Sequence, residues 1–210
     1  MFLGSNKGGV ARTHLLELTQ EDLAYAQGFS LVYSNCNGFA DRELPKLKAA
    51  GIPIAFDFSD RWTPDYLQAT LPWVDIALLS CSHLPAGQRE EVLAQALHLG
   101  ARIAVATAGQ EGSWVLWEGK LFHAPAARAA QVVDTMGAGD AYFAAFLCSL
   151  LKTAGEEGLF ARDLSHRIPQ AMGQAAAYAA QTCALEGAFG GGVTLAGRTE
   201  LTPLEKDLSL

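Results

Sequence analysis

The stretch Asp134-Thr135-Met136-Gly137-Ala138-Gly139-Asp140 places a carboxylate on each side of a run of small residues. It leads straight into the apolar run Ala141-Tyr142-Phe143-Ala144-Ala145-Phe146-Leu147. A small-residue turn entering a helix leaves backbone N–H groups unpaired, where the helix dipole adds positive potential. Such a turn is an anion site, and glycine lets the backbone come close to a phosphate. A carboxylate is electrostatically awkward beside a bound anion. Asp140 therefore suggests a base standing next to a transferring phosphoryl group.

Three other stretches carry polar groups at the ends of apolar runs. Thr107-Ala108-Gly109-Gln110-Glu111-Gly112 turns the chain on two glycines, Gly109 and Gly112. Asp57-Phe58-Ser59-Asp60-Arg61 follows another apolar run. Arg61 is suited either to a phosphate, as a bidentate cation, or to an ion pair with Asp57 or Asp60. Ser80-Cys81-Ser82-His83 follows a third, and His83 reads as a loop histidine.

The elements that must position these groups alternate. Strands are predicted over 30–34, 53–58, 74–80 and 102–107, with helices over 41–50, 64–71 and 88–99 between them. Gly51 and Gly100 mark helix ends. Segments 113–117 and 120–124 flank Glu118-Gly119 and read as a hairpin. Val132-Val133 suggests a further strand end before the first motif. Helices are predicted over 139–152 and 165–185, the second rich in alanine. Repeated β-α-β units imply a three-layer α/β/α fold with a mostly parallel sheet. Ligands of such sheets bind beyond the strand C-termini, so the loops at Asp57, Ser80, Thr107 and Asp134 are expected to converge.

Of the 210 residues, 50% are hydrophobic and 18% charged, which suits one globular α/β domain. The expected limits are residues 1–189, with a flexible tail over 190–210. A net charge of −7 argues against a nucleic-acid partner. No run approaches a membrane span and no signal-peptide layout is seen, so a cytoplasmic location is expected. Cys36, Cys81, Cys148 and Cys183 lack metal or redox spacing and are expected as reduced thiols, with Cys148 and Cys183 in the core.

Together these stretches resemble the PfkB, or ribokinase-like, carbohydrate kinase family. Residues 134–140 match its D-T-x-G-A-G-D pattern at every fixed position, and residues 107–112 match T-x-G-x-x-G. Asp57 and Arg61 match D-x-N-x-R, with Ser59 in place of asparagine. The resemblance spans roughly residues 8 to 189. It implies a ribokinase-like fold and ATP-dependent phosphorylation of a sugar hydroxyl. Asp140 is then the base, and the N–H groups of Gly137, Ala138 and Gly139 form the anion hole. Thr107, Gly109, Gly112, Asp134, Thr135 and Gly187 are the implied nucleotide-binding residues, and Asp57 and Arg61 face substrate or phosphate. ATP and Mg²⁺ are the implied cofactors. A monovalent cation between the carbonyls near Asp134 and those of 187–191 is a further expectation.

The chain departs from the family pattern in two places. Ser80-Cys81-Ser82-His83 stands where relatives carry N-x-x-E, so the Mg²⁺ ligands stay unassigned. The family's N-terminal strands, lid and di-glycine substrate motif are not recognisable, and Gly8-Gly9 lacks the strand–helix setting to replace them. An exposed apolar sheet edge, and with it a homodimer, is expected. Within the family the likeness is greatest to kinases of the fructoselysine 6-kinase type, which implies a fructosamine as the small-molecule substrate, phosphorylated at its 6-hydroxyl. A catalytically impaired nucleotide-binding remnant, and a kinase for another sugar or a nucleoside, are the alternatives.

Overall fold

Apolar runs bounded by helix caps generate an alternating β/α path in the computed structural model, which describes residues 9–152, 158–160 and 163–191. The helices are α1 (Val10–Thr13), α2 (Gln20–Ala26), α3 (Leu44–Ala49), α4 (Pro64–Thr70), α5 (Ala86–His98), α6 (Ala138–Lys152) and α7 (Arg167–Thr182). The strands are β1 (Val32–Asn35), β2 (Ile54–Asp57), β3 (Ile76–Ser80), β4 (Ile103–Thr107), β5 (Ser113–Trp117) and β6 (Lys120–Ala124). Local chemistry sets several limits. Thr19 and Asp22 form a reciprocal capping box at α2. Thr63 caps α4, with Pro64 in its first turn. Gly51, at φ +75°, turns the chain after α3.

The six strands lie in sequence order, β1-β2-β3-β4-β5-β6. The first four run parallel, and β5 and β6 add an antiparallel hairpin. Leu44, Leu47, Leu67, Leu93 and Ala96, from α3, α4 and α5, pack with Ile54, Phe56, Ala77, Leu79, Ala104 and Ala106 on one face. The opposite face, including Ala55, Leu78, Val105 and Val115, packs against Phe143, Phe146, Ile168 and Met172 of α6 and α7. The sheet is thus covered on both sides, as a parallel sheet must be. β1 has one hydrogen-bonded neighbour among the described residues, β2, and Tyr33 on it is exposed.

Asp75 pins the end of the sheet where β2 and β3 begin. Its carboxylate accepts from Ile54 N at 2.9 Å and pairs with Lys48 Nζ at 2.7 Å. The hairpin and the three inner parallel strands fall where the sequence places them. Two expectations fail. Val132 and Val133 form no strand: both are exposed, and Val133 N instead donates to Cys183 O at 2.8 Å, just past α7. β-branched side chains favour a strand only where a neighbouring strand supplies the ladder. Cys148 is exposed and Cys183 half-buried, whereas Cys81 is fully buried. Cys148 lies one helical turn beyond exposed Ala144, on the outer stripe of α6. The tail expected over 190–210 lies, from residue 192 onward, outside the described residues.

Candidate active site

Successive side chains on a strand point to opposite faces, so in-register pairing carries one residue type across the sheet as a row. Asn35 pairs with Asp57, Asp57 with Leu78, and Ser80 with Thr107. These residues share the face covered by α6, at the C-terminal end of the parallel strands. The first turn of α6 brings Gly139 and Asp140 over them. The resulting cavity of ≈ 210 Å³ is lined by Asn35, Asn37, Asp57, Ser59, Leu78, Ser80, Thr107, Gly139 and Asp140.

The Asp134–Asp140 stretch is folded by its own polar groups. Asp134 Oδ1 accepts from Met136 N at 2.9 Å, and Asp134 N donates to Cys183 O at 3.2 Å. Gly137 takes φ +78°, and an added Cβ would lie 3.3 Å from both Ala188 and the Phe189 ring. The 187–191 turn, entered by Gly187 at φ +63°, therefore covers the small-residue turn. One expectation changes here. Ala138 N turns back to Thr135 O at 3.2 Å, because the tight turn closes on itself before the helix ladder begins. Among the described residues the N–H groups of Gly137, Gly139 and Asp140 have no acceptor, so the donors for an anion are these three.

The loop after β4 is fastened from several sides. Ala108 N donates to Gly112 O at 2.9 Å, and Gly109 and Gly112 both take positive φ. Thr107 reaches the cavity; Gly109 and Gly112 shape the loop without lining it. Gly112 sits against the chain leaving β6, which runs on to Asp134. Thr135 is exposed and Asp134 half-buried, both outside the cavity lining. Arg61 is also exposed and outside it, and makes no ion pair with Asp57 or Asp60. His83 lies against Trp62, ring centroids 5.5 Å apart, and Trp62 Nε1 donates to Ser80 O at 3.3 Å, so both serve the loop rather than the cavity.

Asp57 is only 7% exposed. Its Oδ1 accepts from Ser59 N at 2.7 Å, and Ser59 takes φ +54° to reach it. Burial pushes the Asp57 carboxyl up to about 6, with the charges of Asp140 and Asp60 adding to the rise. Burial, then Asp57 and Asp140, push the Tyr33 phenol up to about 12. Tyr33 meets Phe143 of α6 edge-on at 5.6 Å. Asn35 ends β1 and Asn37 lies two residues beyond it, and neither belongs to a motif legible in the sequence. The only available signal was their position at a strand C-terminus.

Known proteins resemble this chain in sequence and in fold. The fructosamine kinase FrlD of Bacillus subtilis (strain 168) is 31% identical over 192 residues, covering 91% of this chain and 63% of its own. The fructoselysine 6-kinase of Shigella flexneri is 36% identical over 176 residues, covering 82% and 60%. The chain thus spans less than two thirds of the length of either relative. Among solved structures, Arabidopsis thaliana ribokinase complexed with ribose and ATP superposes with a TM-score of 0.64 at 21% identity, over 82% of this chain and 55% of that one. Giardia lamblia ribokinase gives 0.68 at 19% identity, over 79% and 56%. The fold is therefore ribokinase-like. The pfkB family carbohydrate kinase pattern matches residues 6–190, a span holding every residue that lines the cavity. A sheet, a strand-end cavity and a helix-borne aspartate arranged in this way, with that match along most of the sequence, make the chain a member of the pfkB family of carbohydrate kinases.

Proposed function

We propose that this chain carries the phosphoryl-transfer part of an ATP-dependent sugar kinase whose acceptor is the 6-hydroxyl of a fructosamine such as fructoselysine. The observation that carries the reading is one cavity that joins Gly139 and Asp140, at the start of α6, to the polar row Asn35, Asp57, Ser80 and Thr107. ATP lies along the Thr107–Gly112 and Asp134–Gly139 loops, with Gly187 beside them. Its γ-phosphate meets the N–H groups of Gly137, Gly139 and Asp140. Preorganised donors of this kind stabilise charge developing on the phosphoryl oxygens. Asp140 takes the proton from the acceptor hydroxyl, while Asp57, Asn35 and Asn37 hold the sugar.

The cavity lining has two carboxylates and no lysine or arginine, which suits an acceptor bearing a protonated amine better than a neutral sugar. The donor set also suits Mg²⁺ borne mainly on the phosphates: no cluster of three metal-ligating side chains occurs among the described residues, and Asp57, Asp140 and the Ser80 hydroxyl face the cavity. When bound, such an ion neutralises phosphate charge. The carbonyls of the adjoining 134 and 187–191 loops are the place for a monovalent cation. Among the described residues no helix is long and apolar enough to cross a membrane. A small-molecule partner, a homodimer and a cytoplasmic location complete the proposal.

An ADP-release assay with fructoselysine, fructose, ribose and adenosine tests the reading. Fructoselysine is expected to give the highest kcat/KM. Faster turnover of adenosine or ribose would assign the chain to another kinase of the family, and ATP binding without turnover of any acceptor would make it a nucleotide-binding remnant.

Asp57 adds a pH prediction. Its carboxyl titrates near pH 6 when folded and near 4 when unfolded, so the folded form holds its proton more tightly. Stability therefore falls as pH rises from about 4 to about 6, and the cost persists above that, at roughly 2–3 kcal/mol. Asp57→Asn is expected to be more stable than wild type at pH 8 and no more stable at pH 4. It is also expected to raise the acceptor KM and to lose the acidic limb of kcat/KM near pH 6. Denaturant melts and pH profiles of both proteins decide this, and an unaltered acidic limb counts against Asp57.

A further inference from the structure

We infer that Arg89, outside every motif of the sequence, is a positioning residue for the nucleotide. The inference rests on the proposal that the Thr107–Gly112 loop holds ATP.

Arg89 lies in α5 on the opposite face of the sheet from α6, and only 2% of it is exposed. Its guanidinium meets Glu111 with both arms, Nη1 to Oε2 at 2.8 Å and Nη2 to Oε1 at 2.6 Å. Nη2 also donates to Leu84 O at 2.9 Å, and Nε to Cys81 O at 3.4 Å. Its Cζ lies over the Trp114 ring, 4.8 Å from the ring centre. Trp114 in turn stacks on His123 at 4.5 Å, and His123 Nε2 lies 3.3 Å from Glu111 O. One cation thus ties the loop after β3, which follows Ser80, to the loop after β4, which follows Thr107. Both of those residues line the cavity.

A buried guanidinium loses its hydration, and only close hydrogen-bonded partners offset that loss. Here the partner carboxylate is 58% exposed at its side chain and sits in a loop of two positive-φ glycines. A plain stability role would be served as well by an apolar side chain at position 89. The planar fork does something an apolar group cannot: it fixes the direction of Glu111 and the height of two carbonyls at once. The hydrogen bond to Glu111 raises the Arg89 pKa and lowers that of Glu111, so the pair stays charged. Loose placement of the loop would cost nucleotide alignment, not acceptor binding, because Asp57 and Asn35 lie two and three strands away from β4.

Calorimetric titration of ATP into the full chain, combined with ADP-release kinetics, tests this. Glu111→Gln and Arg89→Met are each expected to weaken ATP by about tenfold, with acceptor KM unchanged within about twofold. Arg89→Lys, which keeps the charge and loses the fork, is expected to recover part of the affinity. Should Arg89→Met fail to fold, Glu111→Gln, at the exposed end of the pair, decides alone. ATP affinity at the wild-type level in Glu111→Gln, or ATP and acceptor constants rising together, overturns the inference while leaving the proposed function standing. A wild-type chain that binds no ATP overturns the nucleotide assignment itself, and the positioning role with it.

Discussion

Asp140→Asn is expected to lower kcat by about 10³-fold while leaving ATP affinity equal or higher. The substitution keeps the shape of the side chain and removes its ability to accept a proton. Asp140 is exposed, in the first turn of α6, where a carboxylate gains only tenths of a kcal/mol from the helix dipole. The fold should therefore be unaffected. Its charge also stands beside three N–H groups that suit an anion, so removing it relieves repulsion toward a γ-phosphate. Single-turnover ADP formation and ATP calorimetry on the same preparation separate the two effects. Turnover within about tenfold of wild type would take Asp140 out of the chemistry. A parallel loss of ATP affinity would point to a damaged turn.

Gly112→Ala is expected to destabilise the protein by more than about 3 kcal/mol, and so to lower its melting midpoint by roughly 6–12 °C. Gly112 takes φ +97°, and a Cβ there would lie 2.1 Å from Ala124 O, 2.8 Å from Pro125 Cα and 2.9 Å from Ala126 N. All three atoms are backbone, so no side chain can swing aside. Gly109, three residues earlier, is the internal control. It takes φ +54°, and its added Cβ would meet only Ser82 Oγ, at 3.8 Å. Gly109→Ala should cost about 1–2 kcal/mol. Thermal melts of the two variants side by side test the contrast, and equal shifts would mean that close approach at residue 112 is not what demands glycine.

Much of this was readable along the chain because parallel strands obey a simple rule: their C-terminal ends share one side. Asp57, Ser80 and Thr107 each end an apolar run, and they meet. Asp134 does not follow a strand and lies outside the cavity lining, because Val132-Val133 leans on the end of α7. Arg89 and Glu111 are 22 residues apart and belong to different elements. No periodicity connects them, and only the folded sheet sets one beneath the other. The alanine-rich neighbourhood of Cys148 resembles a core, yet exposed Ala144 one turn earlier marks the outer stripe on which it lies.

The two covering layers differ in what they carry. The helices α3, α4 and α5 join consecutive parallel strands and are threaded into the sheet. The α6–α7 pair is attached in sequence only after β6, and it holds the opposite face through Phe143, Phe146, Ile168 and Met172. Asp140 and Gly139 belong to this second layer, while Asp57, Ser80 and Thr107 belong to the sheet. The cavity is therefore a seam between two bodies of one chain. A fluctuation that lifts the helical pair would separate Asp140 from Asp57, Ser80 and Thr107 without breaking a single strand pairing.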